Sequence, residues 1–149
     1  MTKLLGSLTL ALALTAALTT GAARADSERN GQLHVTKDCR QNTGTPGSFC
    51  IITSSNLPEI KVGSKVYYDQ ALGIPKGLLD SNVVLDAGNG NRAVGRCTLD
   101  LSNGLGICTF SDGTGQFTGF SARVDVSPPT DGINWHWEGT YSFKPEPEK

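Results

Sequence analysis

Histidine is scarce in this chain. His34 and His136 are the only two, and they stand a hundred residues apart. There is no HExxH pair and no CxxC-type cysteine spacing, so a bound zinc or similar metal is not expected, and no cofactor is implied. A Gly-x-Ser-x-Gly elbow is also missing, which removes one common frame for a nucleophilic serine. The Gly-x-Gly at Gly113–Gly115 sits between strand-like segments and opens no helix, so it is not a phosphate loop. Basic runs and basic–aromatic interleaving are absent, and nucleic acid is not an expected partner. Beyond residue 25, apolar residues nowhere recur at helical spacing over a useful length. No stretch there is unbroken enough to span a bilayer.

What is present begins with an export signature. Lys3 supplies a positive start, Leu4 to Leu18 is an apolar Leu/Ala-rich core, and Ala23-Arg24-Ala25 gives the small-x-small cleavage pattern. The alternative is a membrane anchor, but the apolar run is short and ends in Thr19, Thr20 and Gly21. The expected mature chain is residues 26–149, a single domain in a secreted or periplasmic location. Residues 1–25 hold Lys3 and Arg24 and no acid, so the 13 basic and 14 acidic residues become 11 and 14, a formal charge of −3. That balance also speaks against anionic membrane surfaces.

The four cysteines all follow the export segment. Ten residues separate Cys39 from Cys50, and ten separate Cys97 from Cys108. An even count in an exported chain reads as disulfides. Three connectivities are open, and the two local bridges are favoured because each pair brackets a turn-rich segment. These are Thr43-Gly44-Thr45-Pro46-Gly47 and Ser102-Asn103-Gly104. Zinc is the rival role for these thiols, with only His34 and His136 to complete a site.

Eight strands are predicted: Leu33–Lys37, Phe49–Ser54, Lys61–Asp69, Asn82–Ala87, Arg92–Leu101, Leu105–Phe110, Gln116–Ser127 and Ile133–Phe143. Asp26 to Gly31 reads as loose, Ala71 to Asn82 as a loop broken by Gly73, Pro75 and Gly77, and Pro145 to Lys149 as a charged tail. Alternation is clear late in the chain. Phe120, Ala122, Val124 and Val126 share one face, and Ile133, Trp135, Trp137, Tyr141 and Phe143 share another. In the third strand, Val62, Val66 and Tyr68 are expected on one side and Tyr67 on the other. The fold class is all-β, either a small eight-stranded antiparallel barrel or a two-sheet sandwich.

Three segments carry a resemblance. Asn56 to Asp69 looks like the early strand region of plant allene oxide cyclases. Val94-Gly95-Arg96-Cys97 is similar to the Val-Gly-Arg segment of dirigent proteins. Asp112-Gly113-Thr114-Gly115-Gln116-Phe117 resembles the Gly-rich turn that both groups carry before a late strand. Taken in order over residues 33–143, the pattern resembles exported bacterial proteins with an allene-oxide-cyclase-like barrel. That resemblance implies eight antiparallel strands, a homotrimer, and an elongated apolar lumen that holds a reactive hydrophobic molecule. The first strand has no Glu where the plant cyclases place one. The segment between Val-Gly-Arg and the Gly-rich turn is shorter than in dirigent proteins. The resemblance is therefore carried over for the fold and not for the active site.

Candidate site residues follow from face and residue type. Glu138 and Asp100 are the acids placed first for proton transfer, because burial beside an apolar substrate would raise a carboxyl pKa towards neutrality. Glu138 shares its face with Asn134 and His136. Asp100 and Arg123 are alternatively a cross-strand ion pair. Trp135, Trp137, Tyr67 and Tyr68 are candidates to line a ligand cavity, with core filling as the alternative. Asp69 is placed at a barrel rim. Three functions fit: an exported barrel binding a small apolar molecule, with isomerase or cyclase activity as its extension; a structural or interaction domain with a filled barrel; and a secreted sandwich binding a protein or sugar.

Overall fold

The computed structural model describes residues 28–145. The expected export segment and its expected cleavage point lie outside the described residues. Eight strands form: β1 Arg29–Asp38, β2 Phe49–Ser55, β3 Lys65–Tyr68, β4 Leu78–Asp86, β5 Arg92–Asp100, β6 Leu105–Thr114, β7 Phe120–Ser127 and β8 Asn134–Phe143. Each pairs antiparallel with the next, and β1 pairs with β8 to close the barrel. The closing ladder runs from Arg29 opposite Phe143 to Asp38 opposite Asn134. With that closure the sandwich alternative falls away.

Period-two alternation sorts the side chains. Leu33 and Val35 of β1, Val83 and Leu85 of β4, and Phe120, Ala122, Val124 and Val126 of β7 are buried inside. Gly139 of β8 also sits where strands crowd: a Cβ there would lie 2.0 Å from the Arg123 carbonyl oxygen, so only glycine lets β7 and β8 approach this closely.

Five strands differ from the sequence expectation, among them β6, which runs past Phe110 to Thr114 because Asp112–Thr114 pair with Val94–Arg92 of β5. β1 starts four residues early, because Arg29–Gly31 pair with Tyr141–Phe143 and the Arg29 guanidinium stacks 4.3 Å from the Phe143 ring centre. β3 is short. Lys61–Ser64 forms a turn closed by the Ser64 N–H on the Lys61 carbonyl, and Val62 is 69% exposed rather than inside with Val66 and Tyr68. β4 starts at Leu78, in the segment read as loop, since pairing with β5 recruits Leu78–Ser81. The segment Gln116–Ser127 is not one strand. A 3-10 turn at Gly115–Phe117 precedes β7.

The two ends of the barrel are built differently. At one end, the β2–β3 connection contributes Leu57 and Ile60, and the β6–β7 turn contributes Phe117. All three are at most 2% exposed. Phe120 packs against Phe117 at 5.2 Å and Phe143 at 5.0 Å between ring centres. These side chains stop that end. The other end is ringed by the β1–β2, β3–β4, β5–β6 and β7–β8 connections. Two disulfides lie there, Cys39–Cys50 and Cys97–Cys108, the favoured local pairing. Cys97 and Cys108 are direct register partners on β5 and β6.

Candidate functional site

The disulfide-bearing end holds a cavity of about 210 Å³. Its walls are Leu79, Leu99 and Val126 together with the two cystines, and Trp135, Leu72 and Leu101 stand at its rim. Leu72 and Leu101 are 41% and 40% exposed, so the cavity opens to solvent between the loops that carry them. Below lies a buried polar pair, Lys37 and Tyr68.

Lys37 is inside because it continues the inward face of β1 after Leu33 and Val35. The β1–β2 register shifts beside it, with Thr36 opposite Ser54 and Lys37 opposite Ile52. The extra residue, Thr53, is on β2, so the inward parity of β1 runs unbroken to Lys37, which stays in register with Trp135 of β8. Lys37 Nζ donates to the Tyr68 hydroxyl at 2.6 Å and lies 4.4 Å from the centre of a Trp137 ring. Burial pulls the Lys37 pKa down to about 7, because the ammonium is removed from water. The same burial pushes the Tyr68 hydroxyl up, so it stays protonated. The cavity thus has apolar walls and an amine–phenol pair able to hold or move a proton.

Local hydrogen bonds set the rim. Asp131 accepts the backbone N–H groups of Ile133 and Asn134 at 2.8 and 2.7 Å, which fixes the entry into β8 just before Trp135. Those bonds, the Asn134 amide first, hold the Asp131 carboxyl at about 2. Gly104 of the β5–β6 turn lies under the Trp135 ring. It has φ +73°, and a Cβ there would stand 3.2 Å from the indole. A side chain at this turn would be strained and would press on the ring.

The aromatic candidates divide. Trp135 and Tyr68 line the cavity. Trp137 is fully buried below it, packed against Phe110 at 5.5 Å, and its indole N–H has no partner among the described residues. Tyr67 is outside, 5.5 Å from Phe49, because it neighbours the inward Val66 and Tyr68 and so faces the other way.

The two carboxylates placed first do not enter the cavity. Glu138 is an exposed residue on the outer face of β8, where it pairs with His34 Nδ1. Asp100 is exposed at the β5–β6 turn, and its Oδ1 accepts from the Ser102 hydroxyl and N–H at 2.6 and 2.8 Å. Those bonds hold its pKa down, opposite to the rise that burial would have produced. Asp100 and Arg123 sit on β5 and β7, with β6 between, so they are not a cross-strand pair. Asp69 stands at the rim-side β3–β4 loop as expected, but Asn82 and Ser81 tie its carboxylate and hold its pKa down.

Lys37 is the residue that sequence reasoning missed. Its signal was the alternation Leu33-x-Val35-x-Lys37, which puts a lysine on an inward face.

No family model matches the chain, and no match is found among curated proteins or among solved structures.

Proposed function

We propose that this is an exported barrel protein that takes a compact apolar molecule into its disulfide-lined mouth. The observation that carries the reading is the 210 Å³ cavity, walled by Leu79, Leu99 and Val126 and rimmed by Trp135, Leu72 and Leu101. Eight-stranded barrels are just wide enough to be filled by side chains or to hold one small ligand. Export is supported by the signal-like first 25 residues and by two disulfides, which persist in oxidising compartments. An isomerase or cyclase step is the extension that the family resemblance suggests. Inside the cavity it would draw on Lys37 and Tyr68, because Glu138 and Asp100 face outwards.

The test is saturable quenching of tryptophan fluorescence by 4-nitrotoluene, a neutral apolar quencher of suitable size. Trp135→Ala should weaken its binding several-fold while leaving the far-ultraviolet circular dichroism spectrum unchanged. Quenching that never saturates, in a protein verified as folded and oxidised, would remove the binding role and leave a structural domain.

A further inference from the structure

Among the described residues, no carboxylate side chain is part of the cavity lining. Lys37 Nζ is a donor. The Tyr68 hydroxyl accepts from Lys37, and its own hydrogen has only the disulfide sulfur Cys50 Sγ nearby, at 3.9 Å. Asn42 uses its Oδ1 to accept from Gly44 N–H at 2.9 Å and from the Ser48 hydroxyl at 2.7 Å. Its Nδ2 is left with nothing nearer than Cys50 Sγ at 4.0 Å. The lining thus holds three polar side chains with hydrogen to donate, Lys37, Tyr68 and Asn42, among Leu, Val, Trp and cystine side chains.

Among the described residues no carboxylate pairs with Lys37. Asp38 follows it in the chain but is held by Arg40, with three guanidinium contacts of 2.6–3.1 Å. An ammonium buried without a counter-ion is costly, and a group that accepts hydrogen bonds and carries negative charge offsets that cost. The match to three donors and one cation is an acceptor-only anion. The match to Leu79, Leu99 and Val126 is hydrocarbon.

We infer that the ligand is a compact apolar carboxylic acid, bound as its carboxylate against Lys37 and Tyr68 with its hydrocarbon body towards Leu72, Leu101 and Trp135. This rests on the binding role proposed above and names the chemistry of the ligand. The ammonium–carboxylate contact is a charge-assisted hydrogen bond, roughly twice as strong as a neutral one. An inorganic anion would meet the donors but leave the apolar walls wet. An amine would meet the walls but face a second cation.

The experiment compares 4-nitrobenzoate with 4-nitrobenzamide, which share a ring and differ in charge, by fluorescence quenching and calorimetry at pH 6.5. The acid should bind at least tenfold more tightly than the amide. Lys37→Met, verified as folded by circular dichroism, should erase that preference so that acid and amide bind alike, and Tyr68→Phe should reduce it. As a readout free of substitutions, the side-chain NMR signals of Lys37 should shift with the acid and not with sodium acetate at the same concentration. If acid and amide bind equally, the inference falls and the binding role stands. If neither they nor 4-nitrotoluene binds, both fall. If acetate or chloride competes as well as the aromatic acid, the site is a bare anion site and the inference is overturned.

Discussion

The two ends of this barrel solve the same problem by different physics. The stopped end is held by packing. Phe117, Phe120, Leu57 and Ile60 are drawn inward and leave almost no surface in water. The mouth gives up that burial to keep a hollow, and its strands are tied by Cys39–Cys50 and Cys97–Cys108 instead. A covalent tie stabilises by restricting the unfolded chain, whatever fills the space around it. Cohesion and an open cavity are thereby made compatible in a barrel this small.

Reducing both disulfides is the harshest way to break that contrast. Each closes a short loop with a sequence separation of 11 residues. Each should contribute about 3 kcal/mol on the chain-entropy model. Urea unfolding of reduced against oxidised protein should show about twice that loss for the pair. Hydrogen exchange in the reduced protein should rise first across residues 39–50 and 97–108. Equal and simultaneous loss at Phe117–Phe120 would mean that the ends are not independently held.

Phe120→Ala attacks the other end. It removes a fully buried ring that contacts Phe110, Phe117 and Phe143, and should cost about 3–5 kcal/mol. Apolar-probe affinity at the mouth should change little in the folded fraction. A large affinity loss there would show the interior to be one coupled cavity.

The smallest effect sharpens the comparison through pH. Lys37 titrates at about 7 when folded, against 10.5 as the ordinary value. Between those values the unfolded chain binds more protons, so stability rises with pH. Below pH 7 both states are protonated and the full cost of burying the ammonium is present; above 10.5 it is gone. From pH 6 to pH 9 the gain should be about 2–3 kcal/mol. Lys37→Met should flatten the curve and be the more stable protein at pH 6. A parent protein whose stability does not change over this range would show that Lys37 is hydrated in the fold.

The barrel was legible because alternation and turn residues are strong local signals. β5, β7 and β8 carry both: Ser102-Asn103-Gly104 and Pro128-Pro129-Thr130-Asp131-Gly132 punctuate strands that alternate cleanly. The site was legible only in part. Alternation tells which face a residue takes but not how deep it lies, so Trp135 at the rim and Trp137 in the core read alike. Glu138 has an outward parity that sequence could give, but which face is the interior depends on closure. Leu57 and Ile60 lie in a connection, and nothing local says that a loop will fold back as a stopper. Lys37 was overlooked because a lone lysine at a strand end is ordinarily solvated, although the alternation after Leu33 and Val35 carries it inward.

The seam between β1 and β8 carries a kinetic consequence. Arg29 meets Phe143 and Asp38 meets Asn134, so the ladder that completes the wall joins residues about a hundred positions apart. Pairings so distant in sequence are slow to form, because the intervening chain must be gathered before any contact rewards it. A ribosome, or a pore threading the chain from its amino end, releases β8 last. Until β8 has emerged β1 has no second partner, and the wall stays unsealed with its apolar face open to chaperones, proteases or neighbouring chains. For this barrel, sealing the wall waits on β8.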